Sequence, residues 1–179
     1  MKTCRILIAG FGGQGVLFAG KFLAYKGLCE DRQVSWLPSY GPEMRGGTAN
    51  CSVIISDDPI GSPIITTPDI LVAMNLPSLD KYEQSVVPGG QIYVDSTLIA
   101  RDVARTDVSA FRIPATQMAS DNGLTTLANM IIVGKILRES DVCSYEGLEV
   151  ALKKVVSARH ADLFDANMKA INMGYAFEN

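Results

Sequence analysis

The sequence predicts an α/β fold: a mostly parallel, Rossmann-like sheet in three layers, with helices on both faces, forming a single domain over residues 1–179. Three observations carry this. A short apolar run, a glycine-rich turn and a helical pattern follow one another directly between Cys4 and Gly27. Strand-like and helix-like segments then alternate along the chain, the pattern of a sheet covered on both sides. The composition, 47% hydrophobic and 20% charged over 179 residues, is that of a chain with a real core.

The first strand is read over Arg5–Ala9 and ends in Gly10-Phe11-Gly12-Gly13-Gln14-Gly15. The helix after it places Val16, Ala19, Phe22 and Leu23 on one face, turns Lys21 and Lys26 away from it, and has Gly27 as its C-cap. Gln33–Leu37 reads as strand two, stopped by Pro38. Ser39–Gly47, with three glycines and a proline, reads as a loop of defined shape. Thr48–Ser56 alternates as a strand, with Ala49, Cys51, Val53 and Ile55 on one side. Ile70–Met74 is a short buried strand, and Pro77–Val87 a helix with Leu79, Tyr82 and Val86 inward. Gln91–Asp95 and Phe111–Ile113 are further strands. Thr116–Ser120 is a helical turn, and Leu124–Arg138, Ser144–Val156 and Asp162–Met173 are helices. Met118, Leu124 and Met130 are candidates for an exposed apolar patch at a subunit contact, with a core role the preferred reading.

Glycines in the turn permit positive φ and close approach of a ligand or another chain. The free N–H groups and dipole of the helix start suit an anion such as phosphate. Gly10, Gly12 and Gly15 satisfy G-x-G-x-x-G in the strand-to-helix context of a dinucleotide fingerprint. An NAD site also needs an acid after strand two, and Pro38-Ser39-Tyr40 supplies none, which argues against NAD. On the residues alone two uses stay open: an anion or chain contact by Gly12, Gly13 and Gln14, or glycines that only let the helix pack close to the sheet.

The Ser39–Gly47 loop follows strand two and is expected beside the glycine turn at the carboxyl ends of the strands. Arg45 can meet a phosphate, a carboxylate or a partner's acid in bidentate fashion. It can equally form a surface pair with Glu43 of little energetic weight.

A catalytic set is absent from the pattern. His160 is the single histidine and lies between two helical segments. There is no G-x-S-x-G elbow and no P-loop. Cys4, Cys29, Cys51 and Cys143 are widely spaced, so they read as free, buried or part-buried thiols rather than disulfides or cluster ligands. A zinc site would have to rely on carboxylates. The net charge of −3 does not suit a nonspecific nucleic-acid binder. No apolar run is long enough for a bilayer, and no signal segment is visible, so the expected location is cytoplasmic.

GFGGQG at 10–15, SYGPEMRGGTANCSVIIS at 39–56 and NMIIVGKIL at 129–137 together resemble the gamma subunit of 2-oxoacid:ferredoxin oxidoreductases, over nearly the whole chain. Within that family, Pro42–Gly47 is most similar to the 2-oxoglutarate type; pyruvate-type chains more often show ERRGAP there. The resemblance implies a subunit of an assembly that oxidatively decarboxylates a 2-oxoacid with coenzyme A, yielding an acyl-CoA, carbon dioxide and two electrons for ferredoxin. It implies thiamine diphosphate and iron–sulfur clusters in alpha, beta and delta partner subunits, and no cofactor held by this chain alone. It also implies a coenzyme A contact at Gly10, Gly12, Gly13, Gln14, Gly15 and Arg45, with Lys21 adding charge. Two other readings are a free-standing nucleotide-binding protein and a scaffold whose glycine turn touches only a partner chain.

Overall fold

The computed structural model describes residues 3–39, 48–156 and 161–178. The elements run β1 (Thr3–Phe11), α1 (Val16–Cys29), β2 (Gln33–Ser39), β3 (Thr48–Ser56), β4 (Ile70–Ala73), α2 (Leu76–Tyr82), β5 (Gln91–Asp95), β6 (Ser109–Ile113), α3 (Ala115–Asp121), α4 (Ala128–Glu139), α5 (Leu148–Val155) and α6 (Ala161–Ala176). A 3-10 turn, Glu83–Ser85, extends α2.

The six strands stand in the order β2-β3-β1-β4-β5-β6. β1, β4, β5 and β6 are parallel neighbours, while β3 is antiparallel to both β1 and β2. The reversal follows from the short β2–β3 connection, since a parallel crossover needs a dozen or more residues. Ser39 pairs with Asn50 and Phe11 with Thr48, so β2 ends and β3 begins at the edge where the glycine turn lies. The expected loop between them, with Arg45 and Glu43, lies outside the described residues, as does His160.

Alternation along β1 divides the core. Ile6 and Ile8 join Phe22, Leu23, Met130, Ile131, Leu152 and Ile171 in one cluster, beneath α1 and α4–α6. Leu7 joins Leu71, Leu79, Val86, Ile92 and Ile99 in the other. Each such fully buried side chain contributes roughly 1.5–3 kcal/mol relative to exposure. The layers are therefore unequal. α2 is the helix of the second face, and arginines stitch the loop after β5 across the rest of it. Arg112 donates to the carbonyls of Arg101 at 2.5 Å and Ile99 at 3.0 Å. Arg101 pairs with Asp80 at 2.7 Å and with the buried Glu83 at 2.8 Å.

Several boundaries differ from the sequence reading. Gly27 is not a C-cap: α1 continues to Cys29, and Gly27 instead brings the helix against Val34 and Ile55, where a Cβ would stand 3.0 Å from each. Asp31 takes the left-handed φ of 56°. Lys26 is buried rather than turned to solvent, because α5 and the segment before it pack on α1 and supply partners. Its ammonium pairs with Glu30 and reaches Ser144 Oγ at 3.3 Å. α2 stops at Tyr82, α4 begins at Ala128 and not Leu124, and α5 begins after Gly147, whose φ is 73°. Cys29 is exposed; Cys4, Cys51 and Cys143 are buried, and all four are free. Met130 is fully buried, with Met118 and Leu124 packed on the same cluster.

Candidate functional site: the glycine turn at the sheet edge

β1 hands over to α1 on one face, and β4 hands over to α2 on the other. The crevice between the carboxyl ends of β1 and β4 is therefore the topological switch point, the place where open α/β sheets take ligands.

The turn that lines it is locally determined. Gly13 has φ 95° and Gly15 φ 71°, conformations that side-chain-bearing residues rarely adopt. Gly12 and Gly13 are exposed, and a Cβ on Gly13 would find nothing within 4 Å. Gly15 is the N-cap of α1; no side chain caps the helix, and no acid lies in its first turn. The free N–H groups at that start face the sheet edge without an internal competitor.

The Gln14 amide is engaged at both ends within the protein. Its Oε1 accepts from the Phe11 N–H at 2.6 Å, and its Nε2 donates to the Met74 carbonyl at 2.9 Å, tying β1 to β4. Gly10 makes room for this: a Cβ there would lie 2.5 Å from Gln14 Oε1 and 2.8 Å from Met74 Cβ.

A second helix start meets the first. α4 also lacks a side-chain cap and an acid in its first turn. Asn129 in that turn is 3% exposed and donates through Nδ2 to the Gly15 carbonyl at 2.9 Å. Between the two starts lies a cleft of about 200 Å³, lined by Gly13, Gln14, Leu98, Thr116, Thr125 and Thr126 among others. Asp95, fully buried at the end of β5, fixes its far wall by accepting from Thr116 Oγ1 at 2.5 Å and the Thr97 N–H at 3.1 Å. Phe11, Leu76 and Leu98 leave apolar surface exposed at the same edge. The described lining of the cleft carries no charged side chain. A larger cleft of about 370 Å³ sits at the opposite edge, where Asp69, Glu139 and Asp141 make it unsuited to an anion.

Gly10, Gly12, Gly13, Gln14 and Gly15 thus come together at one edge, with Lys21 farther along α1. Arg45 lies outside the described residues. Sequence reading missed Asn129 and Thr116. A signal for Asn129 was present, as an amide at the head of the apolar run Met130–Val133. Among the described residues, no group of three or more His, Cys, Asp or Glu side chains could hold a metal ion. Burial pushes the Cys4, Cys51 and Cys143 thiols up to about 12, so none is a ready nucleophile.

Residues 5–177 match the family model described as pyruvate ferredoxin/flavodoxin oxidoreductase. The chain belongs to this family. Ketoisovalerate oxidoreductase subunit VorA of Methanothermobacter thermautotrophicus is 39% identical over 178 residues, covering 98% of this chain; the chain spans only 37% of that relative's length. The 2-oxoglutarate synthase subunit KorC of Methanocaldococcus jannaschii is 35% identical over 174 residues, covering 96% of this chain and 91% of that one. In structure, the gamma subunit of a keto/oxoacid ferredoxin oxidoreductase from Geobacter sulfurreducens superposes with a TM-score of 0.80 at 30% identity, with 96% of each chain covered. The oxidoreductase relatives therefore include both a long chain holding this unit and a chain of about its own size.

Proposed function

We propose that this chain is the gamma subunit of a 2-oxoacid:ferredoxin oxidoreductase of the 2-oxoglutarate type, that residues 1–179 act as one gamma-type domain, and that its glycine turn contacts coenzyme A. The assembly converts 2-oxoglutarate and coenzyme A to succinyl-CoA and carbon dioxide, passing two electrons to ferredoxin. Partner alpha, beta and delta subunits hold thiamine diphosphate and the iron–sulfur clusters, and the complex is cytoplasmic. The motif Pro42–Gly47 supports 2-oxoglutarate as the substrate, and the KorC relative carries that name.

The observation that carries the coenzyme A reading is the exposed Gly12–Gly13 turn at an uncapped helix start, with no carboxylate among Pro38, Ser39 and Tyr40 where strand two ends. Coenzyme A brings a pyrophosphate and a 3′-phosphate, either of which suits the N–H groups there. Positive charge would come from Arg45 or Lys21, or from a partner, since the described lining offers none. The chain's part is to bind and orient the thiol carrier. The exposed Phe11, Leu76 and Leu98 favour a neighbouring subunit closing over the same edge.

The test is a pair of substitutions at Gly13 in the reconstituted complex. Gly13→Ala introduces strain at φ 95°, while Gly13→Leu adds bulk in the open space above the turn. A higher KM for coenzyme A in Gly13→Leu than in Gly13→Ala, in an intact complex, is expected. An unchanged KM for coenzyme A in both would overturn the reading.

A further inference from the structure

We propose that Gln14 and Asn129 are a pair of amide clamps that hold the Gly12–Gly13 turn open for coenzyme A, acting as positioning residues rather than as contacts. The inference rests on the coenzyme A reading above.

Three observations lead to it. First, both ends of the Gln14 amide are engaged inside the protein, by the Phe11 N–H and the Met74 carbonyl. Gly10 is required for this arrangement, because a Cβ there would collide with Gln14 Oε1. Second, the other end of the turn is held by Asn129. The Gly15 carbonyl accepts from the Ala19 N–H at 3.0 Å, as the first bond of α1, and from Asn129 Nδ2 at 2.9 Å. Its two lone pairs are thereby used by two helices. Third, packing alone does not explain Asn129. It is buried among apolar residues at the head of α4, and its Oδ1 has no partner among the described residues. An amide kept in such a place at the cost of an unpaired oxygen has a directional task. That task is visible as a direct tie between the starts of α1 and α4.

The consequence is mechanical. Gly12 and Gly13 have no side chains to fix them, and glycine has the most backbone freedom of any residue. The two clamps anchor the turn to three elements: β4 through Met74, α1 through Gly15 and α4 through Asn129. A turn ordered before the ligand arrives loses less conformational freedom on binding.

The experiment uses near-isosteric apolar replacements, Gln14→Met and Asn129→Leu. Gln14→Ala and Asn129→Ser serve as second variants should either fail to fold. Hydrogen exchange on the full chain alone is expected to show amides of residues 12–16 exchanging at least about tenfold faster, with the strands unaffected. In the reconstituted complex the KM for coenzyme A is expected to rise about tenfold, the equivalent of one lost hydrogen bond, with the KM for the 2-oxoacid unchanged. Gln14→Ala loses both bonds, as Gln14→Met does, so the two variants should agree. Unchanged exchange together with a raised KM would make the amides contacts and overturn the inference. So would an unchanged KM, or a parallel rise in both KM values. If Gly13→Leu raises the KM for coenzyme A while the clamp variants do not, the clamps alone are wrong. If none of them does, the coenzyme A reading falls as well.

Discussion

Gly134 of α4 and Gly174 of α6 stand where the two helices cross. A Cβ built on Gly134 would lie 2.0 Å from the Ile171 carbonyl oxygen, and one on Gly174 would lie 1.7 Å from that of Ile131. Neither glycine has positive φ, so backbone conformation is not the reason for them. Each is there because the other helix's backbone occupies the space of a side chain.

Alanine at either position should therefore destabilise the fold, although alanine in a helix ordinarily gains about 0.5–1 kcal/mol over glycine. Overpacking against backbone, which cannot rotate away, is expected to cost about 1–3 kcal/mol net. Urea unfolding of Gly174→Ala checks this, and a variant as stable as wild type would show that the helices can separate freely.

Acid sensitivity has a local contributor at Glu30. Its partial burial would raise the carboxyl, but hydrogen bonds from Lys26 and from the Ser144 N–H at 2.8 Å outweigh that and hold it below its ordinary value. A carboxyl lowered in the folded state stabilises fully above the unfolded value near 4.5, and the contribution is lost as pH falls through the lower folded value. Glu30→Gln should thus lower stability at pH 7 and flatten its decline below about pH 4.5, where wild type loses this contribution. The effect at pH 7 is expected to be about 1–3 kcal/mol, since the variant leaves the buried Lys26 ammonium without its carboxylate. Thermal unfolding of both proteins between pH 7 and pH 3 measures it. Parallel profiles would remove Glu30 from the account.

The thiols divide into two classes. Cys29 is exposed at the end of α1, whereas burial pushes Cys4, Cys51 and Cys143 up to about 12. In the native chain at pH 8, iodoacetamide should label Cys29 alone, and the other three only after denaturation. Mass spectrometry of the labelled peptides reads the outcome. Native labelling of Cys51 would contradict its packing beneath α1, where its Sγ donates to the Val16 carbonyl at 3.3 Å.

Local chemistry was legible in the sequence wherever it needed no distant partner. The strand, turn and helix of residues 3–29 follow from an apolar run, glycines at Gly13 and Gly15 that take positive φ, and the inward stripe of Val16, Phe22 and Leu23. Alternation along Ala49, Cys51, Val53 and Ile55 likewise placed β3 correctly on one core face, because period-two burial is a property of the strand itself. What the sequence left undecided was settled by contacts far apart in the chain. Lys26 looked solvent-facing on its helix and is buried because Ser144, 118 residues away, completes its shell. Gly27 looked like a helix end and is a spacer against β2 and β3. Gln14 read as a surface amide until Met74, 60 residues on, took its donor, and Asn129 gained meaning only from the Gly15 carbonyl 114 residues earlier. Periodicity reports which way a side chain points from its own element; which groups meet it there is a tertiary matter, fixed when the sheet brings β4, α4 and the glycine turn to one edge.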